Sequence, residues 1–254
     1  MIDCWCSTTT LHKLNGIMST TDDNIADVAV PTGSRGGRGS PRPLTMPEQI
    51  AESITDAVLR GDYQPGDRVR EQELASQFQV SRGPIREALR ILEKSGVVRI
   101  LPQRGAHITQ LSAKEVNDLF EVRRSLIGLL ARKICPAPPA LIKAVDQQVR
   151  ALEALGGQES ATEEHAKISM LLSRLLLAAC DNHRLVEMLE SLVNQTARYT
   201  RLGLREPQRR TQSAASWRSF VIALEAGNAD LAAAALEGLV EASRVAAVKH
   251  LQQG

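Results

Sequence analysis

The chain has 254 residues, enough for one large domain or two ordinary ones. Its 43% hydrophobic and 24% charged residues give a soluble globular profile, and only 3% aromatic residues leave the core to Leu, Val, Ile and Ala, a composition that favours helix over sheet. A net charge of +2 is too small to argue for a nucleic-acid partner, so any such argument must rest on where the charges sit. Of the four cysteines, Cys4-x-Cys6 is a weak metal pattern and Cys135 and Cys180 stand alone, which points to a reducing, cytoplasmic setting. No apolar run approaches the ~20 residues that span a bilayer, so no membrane association is expected.

Residues 1–43 read as a disordered arm, rich in Thr, Asp, Gly and Ser and without apolar periodicity. Its run Gly33-Ser34-Arg35-Gly36-Gly37-Arg38-Gly39-Ser40-Pro41-Arg42 carries three arginines and no acid. It is either a solvated tether or a basic arm for DNA phosphates or a minor groove. Regular structure is predicted from near Pro47, where Ile50, Ile54, Ala57 and Val58 recur at helical spacing until Gly61, a residue suited to a left-handed helix end. After the turn signal Pro65-Gly66, a short helix over Glu71–Phe78 buries Leu74, Ala75 and Phe78. Ser81 is placed to cap a third helix, with Pro84 in its first turn and Ile85, Ala88, Leu89 and Leu92 on its inner face. Val97–Ile100 and His107–Thr109 read as two short strands joined by the tight turn Pro102-Gln103-Arg104-Gly105.

Helix, helix, tight turn, helix and a two-stranded wing is the element order of a winged helix-turn-helix. An α-helix fits the DNA major groove and meets base edges with its N-terminal residues. Here that helix opens Ser81-Arg82-Gly83-Pro84, and Arg82, Arg86 and Arg90 share one face by their spacing of four. Arginine can fork onto a guanine edge or clamp a phosphate, and Gly83 lets the backbone come close. The plainer reading is a solvated face paired with Glu87 and Glu93; the Ser-Arg start, the preceding short helix and the following wing weigh against it.

The segment resembles the GntR family. The resemblance is carried by Gly61-Asp62-Tyr63-Gln64-Pro65-Gly66, Glu71-Gln72-Glu73-Leu74-Ala75, Val80-Ser81-Arg82-Gly83-Pro84-Ile85-Arg86-Glu87-Ala88-Leu89, Leu92-Glu93 and Gly96-Val97. It implies that Arg82 and Arg86 are the main DNA contacts, with Gly83 and Pro84 alongside and Arg104-Gly105 as a wing tip in the minor groove. Ser81 and Arg90 belong to the same surface. Where the family often has Arg in the second helix this chain has Gln72, so a base or phosphate contact is altered there.

From Ser112 the pattern is wholly helical, beginning with the capping-box signature Ser112-Ala113-Lys114-Glu115. Helices are expected over about 140–154, 162–180, 183–202, 208–226 and 229–251, a bundle. The expected fold is therefore mainly α: a winged helix-turn-helix of three helices and a two-stranded wing over 44–111, then an all-α effector domain over 112–254. Leu119–Leu126, Ala178-Ala179-Cys180-Asp181-Asn182 and Ala223–Asn228 resemble the FCD effector domain of the FadR subfamily. Many such domains hold a divalent metal with one Asp and three His. The corresponding places here are Ser169, Ser173, Trp217 and Leu239, which supply no carboxylate or imidazole, so neither a metal nor any other cofactor is expected. Side chains must then hold the effector: Arg123, which takes the family's first-helix Arg, with Asn194, Arg198, Ser169, Ser173 and Trp217, for an organic acid from catabolism, aromatic degradation included. The alternatives are a structural ion pair for Arg123 and a solvated face for Arg198 and Arg201; His165 is expected to be exposed or at a helix start.

These readings describe a cytoplasmic, nucleoid-associated homodimer that binds operator DNA and represses until an acid binds; a ligand-dependent activator or a structural DNA-binding protein is the alternative. An enzyme is not expected: the chain has no Gly-rich phosphate loop, no Gly-x-Ser-x-Gly elbow and no His-Glu-x-x-His.

Overall fold

A computed structural model describes residues 43–156 and 158–253. The expectations for the arm 1–43, all but Pro43 and including its basic run and Cys4-x-Cys6, lie outside the described residues. Helix α1 (Met46–Arg60) opens with a capping box between Thr45 and Glu48 and ends at Gly61, whose φ of 90° lets its N–H close on Ala57 and Val58 carbonyls. Strand β1 (Arg68–Val69) leads into α2 (Glu71–Gln77) and α3 (Arg82–Lys94). The hairpin β2 (Val98–Leu101) and β3 (Gly105–Ile108) follows. The wing has one strand more than the sequence pattern suggests: β1 pairs with β3, and the antiparallel order is β1-β3-β2. A two-residue strand is too short to show an alternation, and only pairing with His107 and Ala106 defines it.

The α3 sequence divides cleanly by face. Ile85, Ala88, Leu89 and Leu92 are buried with Ile50, Ile54, Leu74, Val98 and Ile108 in one core, and the arginines at 82, 86 and 90 point outward. Each fully buried Leu or Ile contributes about 1.5–3 kcal/mol, enough for Ile85, Leu89 and Leu92 to anchor a 13-residue helix.

A second, larger core belongs to the helices α4 (Ala113–Ile134), α5 (Pro139–Leu155), α6 (Thr162–Ala179), α7 (His183–Gly203), α8 (Pro207–Glu225) and α9 (Ala229–Gln253). The Ser112–Glu115 capping box forms as expected, with Glu115 N–H donating to Ser112 Oγ. Helix α9 packs along α4, α7 and α8. It runs antiparallel to α4, as shown by Arg132 on Asp230 at 3.0 Å near one end and Arg244 on Asn117 at 2.6 Å near the other. Its C-terminal end lies beside that of α7: Lys249 reaches Glu206 at 3.3 Å, and Gly203 is so close to Ala246 that a Cβ would sit 2.8 Å away.

The two cores meet through α7. Its Tyr199 Oη accepts from Leu111 N–H at 3.3 Å, and Arg201 donates to the Arg60 carbonyl at 3.0 Å while forking onto Glu163. Gln195 lies against Gly96, where a Cβ would come within 2.5 Å of it. Arg201 is thus tied into the domain contact and does not lie on the solvated face the sequence allows for it.

Candidate functional site

The first site is the outer face of the winged unit. Ser81 takes the N-cap position of α3 with extended backbone, although its side chain makes no capping bond. Arg82, Arg86 and Arg90 are all exposed. Arg86 Nε donates to Glu71 at 2.9 Å, a tether between α2 and α3 that sets the direction of the guanidinium, and Arg90 pairs with Glu87 at 3.3 Å. Arg82 has no partner among the described residues. A Cβ at Gly83 would meet nothing nearer than Ser81 Oγ at 3.9 Å, so nothing inside the protein requires glycine there and the small residue leaves room for something outside. Pro84 is half-buried, and Gln72 is exposed on the neighbouring α2.

Arg104 and Gly105 are exposed at the turn between β2 and β3, where Gln103 and Gly105 take φ of 61° and 86°. The His107 ring lies between the Gly66 and Arg104 carbonyls, at 3.0 and 3.3 Å, and so steadies that turn. Register sets Arg68, His107 and Arg99 in one row across the three strands. The Arg68 guanidinium comes close to Gly105, its Nε and Nη2 each 3.7 Å from where a Cβ would stand. Arg68 and Arg99 therefore add cationic groups beside the tip, a pair the sequence reading misses. The signal was the alternation Val98, Arg99 and Arg68, Val69, legible only once β1 is known to be a strand.

The second site is the interior of the helical unit. Arg123 Nη1 donates to Thr196 Oγ1 at 2.7 Å, its Nε is buried without a partner, and its guanidinium lies 5.9 Å from the Phe120 ring centre. No carboxylate pairs with it among the described residues, which removes the structural ion pair; burial alone pulls it down to about 10, still charged at neutral pH. Ser169 Oγ and Trp217 Nε1 are likewise buried and unpartnered, while Ser173 donates to the Ser169 carbonyl at 3.0 Å.

Asn194 and Arg198 do not join this group. They line a cleft against Val58, Gly96, Val97, Ile108 and Leu111, between the two cores. The reason is helical geometry: Thr196 faces Arg123, and residues two away on a helix point to the other side. At about 30 Å³ the cleft has room for a water or two and none for an organic effector. Arg198 has one buried, unpartnered Nη1, so it is not a solvated face either. His165 stands at a helix start, in the first turn of α6, as one of its two expectations had it; it is not exposed but fully buried, with both ring nitrogens unpartnered. Burial first, then the charges of Arg209 and Arg210, push it down to about 4. Arg209 was also missed, since an arginine in a polar first turn carries no sign of burial.

The four positions where a metal would sit offer a hydroxyl at Ser169, a second at Ser173, an indole N–H donor at Trp217 and an aliphatic chain at Leu239. This donor set does not fit a divalent ion, and among the described residues no three His, Cys, Asp or Glu cluster as ligands.

An exposed helix carrying arginines at its start, backed by a three-stranded wing and attached to a helical bundle whose apolar core encloses a few polar side chains, is the arrangement of a DNA-binding regulator. The chain belongs to the GntR family of bacterial regulatory proteins: residues 47–108 match the family profile described as "Bacterial regulatory proteins, gntR family", and residues 118–242 match the FCD domain. It is a DNA-binding transcription regulator with an FCD effector-binding domain and not an enzyme. Among similar proteins, the HTH-type transcriptional regulator YdhC of Bacillus subtilis is 29% identical over 61% of this chain and 69% of its own. The HTH-type transcriptional repressor GlaR of Escherichia coli is 28% identical over 60% and 71%. Two solved structures share the fold: a transcriptional regulator GntR from Rhodococcus sp. RHA1, with a TM-score of 0.64 and 20% identity over 80% of this chain and 97% of that one, and E. coli McbR/YncC, with 0.66 and 18% over 83% and 100%.

Proposed function

We propose that this regulator is a homodimeric repressor, released from a two-half-site operator when an organic acid enters the helical interior. The observation that carries the reading is the pairing of two kinds of arginine: exposed Arg82 on a recognition helix and half-buried Arg123, whose enclosed Nε has no partner and which meets no carboxylate among the described residues. Ser81, Arg82, Gly83, Pro84, Arg86 and Arg90 form the groove-facing surface, Gln72 flanks it, and Arg104 with Gly105 is the minor-groove tip. Arg123, Ser169, Ser173 and Trp217 hold the acid. Residues 44–111 and 112–254 are the two domains, and the protein works in the cytoplasm on the nucleoid. No helix among the described residues is long and apolar enough to cross a membrane.

Two half-sites need two winged units. The surface suited to joining two copies is the outer face of α4 and α9, where Val122 and Leu129, and Leu231 and Val245, are exposed although large and apolar. Release follows from α7. Thr196 faces Arg123 on its inner side, and Gln195, Arg198 and Tyr199 hold the winged unit on its outer side. An acid seated on Arg123 beside Thr196 pushes on α7 and so changes the spacing of the two winged units, a coupling of about 1–3 kcal/mol. The name repressor borne by GlaR, and by the gluconate operon repressor of Bacillus licheniformis, 36% identical over 75 residues, supports repression over activation.

The test is selection of binding sites from a random duplex pool, followed by gel shifts at fixed salt. The reading requires a palindromic site bound at least ~10³-fold more tightly than random DNA and weakened by an organic acid. Uniform binding to all duplexes, as an architectural protein shows, sinks it.

A further inference from the structure

Where the backbone of this chain turns left-handed, the residue is glycine in all but two places. Among the described residues Gly61, Gly66, Gly96, Gly105, Gly156 and Gly227 take positive φ. The two others that do so are both glutamines, Gln79 at 54° and Gln103 at 61°. A Cβ crowds the backbone in that conformation. Besides glycine, Asn and Asp tolerate it best, because their short side chains bond locally. The longer glutamine chain does not do this here: both glutamines are exposed, and neither carboxamide has a hydrogen-bond partner among the described residues.

The fold dictates the conformation at both places. Gln79 follows the C-cap of α2. Its N–H donates to Ser76 O at 3.3 Å and that of Val80 to Ala75 O at 3.0 Å, the two bonds that close a helix end on a left-handed residue. Gln103 stands third in the turn Leu101–Arg104, in which Arg104 N–H donates to Leu101 O at 3.1 Å. Pro102 presets the second position, and such a turn then needs positive φ at the third, where glycine is usual. Glycine would therefore serve the fold better at both positions, and what glutamine adds lies outside it.

Both side chains stand on the groove-facing surface of the winged unit. Gln79 comes just before Ser81 and Arg82; three residues of chain keep its Cα within about 11 Å of that of Arg82. Gln103 is the apex of the wing beside Arg104, on a tip braced by His107 between the Gly66 and Arg104 carbonyls at 3.0 and 3.3 Å.

We propose that Gln79 and Gln103 are sequence-reading contacts to operator DNA, Gln79 in the major groove beside the start of α3 and Gln103 in the minor groove at the wing tip. The proposal rests on the reading of α3 and the wing as the elements that enter the grooves, and it adds two neutral readers to their arginines. A carboxamide carries a donor and an acceptor side by side. In the major groove that pair matches N6 and N7 of adenine. In the minor groove its N–H meets the acceptors of an A·T pair, or its oxygen meets the amino group of guanine. Asparagine would suit the backbone better with the same amide, but one methylene shorter; reach is what glutamine supplies.

The test uses the full chain and the duplex selected from a random pool. Gln79→Gly and Gln103→Gly remove the amide and relieve the backbone. Gln79→Met and Gln103→Met remove the amide while keeping the length and the backbone conformation. Each variant is expected to bind the selected duplex about ten-fold or more weakly and random duplex as before. The salt slope should stay at its wild-type value, because a neutral carboxamide releases no counterion, whereas Arg104→Ala should lower it. The glycine variants should melt at the same temperature or higher. A selection repeated with either Met variant should lose the base preference under that residue and keep the rest. Wild-type affinity for the selected duplex in either Met variant overturns the proposal. So does an equal loss on selected and random DNA, which marks a structural role; the Met variants decide this even where a glycine variant fails to fold. If Arg82→Ala and Arg104→Ala also bind as wild type, the reading of α3 and the wing falls too. If those two weaken and the glutamine variants do not, that reading stands and the glutamines alone are wrong.

Discussion

The winged unit and the helical unit use the same side chain in opposite ways. On α3 the arginines are exposed on a face whose reverse fills a core, and among the described residues they are held loosely: Arg82 by nothing, Arg86 by one carboxylate, Arg90 by another. In the bundle Arg209 is buried and Arg123 half-buried with its Nε enclosed, and neither has a carboxylate partner among the described residues. A surface arginine costs the fold almost nothing and waits for a long polyanion that arrives with its own charge. A buried one lowers the stability of the empty protein and is compensated only by a ligand small enough to reach it. The DNA site should therefore be separable from stability, and the effector site should not.

The largest effect expected is on that separation. Arg82→Ala removes an exposed side chain with no partner among the described residues and should leave the melting temperature unchanged. Each lost bidentate base contact costs about 1–3 kcal/mol, and a dimer loses two, so operator affinity should drop ~100-fold or more in gel shifts at fixed salt. Arg90→Ala, further from the helix start, should weaken all duplexes evenly and mainly reduce the salt slope. A drop in melting temperature for Arg82→Ala that matches the loss of binding would break the comparison.

The buried side should show itself through pH. His165 ordinarily titrates near 6.5 and is held at about 4 in the fold, chiefly by burial and then by Arg209 and Arg210. Between those values the unfolded chain takes up a proton that the folded chain refuses, so stability is complete above pH 6.5 and falls as pH drops toward 4. The loss should approach roughly 3 kcal/mol in denaturant titrations, and His165→Gln should remove most of that slope. The exposed arginines of α3 cannot produce it. An unchanged slope in His165→Gln would show that carboxylates elsewhere control the acid limb.

This contrast also explains what the sequence made legible. The winged unit writes its function in adjacent letters: Ser81-Arg82-Gly83-Pro84 is both a helix start and a surface, and the period of Ile85, Ala88, Leu89 and Leu92 states which side is out. The site proposed in the helical unit draws its residues from separate helices, so no local period reports it. Arg123 was found by family position. Arg209 and His165 were not found, because both sit in first turns among polar residues where the pattern reads as solvent. Asn194 and Arg198 were grouped with Arg123 because their own spacing is helical, yet which face of α7 looks inward is decided by Thr196, and nothing in the spacing marks it.

The next effect is on coupling. Arg123→Met should leave operator affinity in the absence of acid within a few-fold of wild type, since Arg123 lies away from the winged unit. It should remove the acid-dependent release, a change of about 1–3 kcal/mol in the ratio of affinities with and without acid. Equal loss of DNA binding with and without acid would show that Arg123 supports the dimer and not the ligand.

The smallest effect tests whether α7 connects the two regions. Tyr199 is buried and its hydroxyl accepts from Leu111 N–H at 3.3 Å, at the point where the chain passes from wing to bundle. Tyr199→Phe keeps the ring and its packing and leaves that one N–H without its acceptor, a cost of about 1 kcal/mol. If α7 only leans on the winged unit, that cost appears in the melting curve and nowhere else. If α7 carries the ligand's effect, the acid-dependent change in operator affinity shrinks several-fold, while acid binding, set on the inner face by Arg123 and Thr196, stays as it was. The two faces of one helix then answer to different mutations, which a passive contact between domains cannot reproduce.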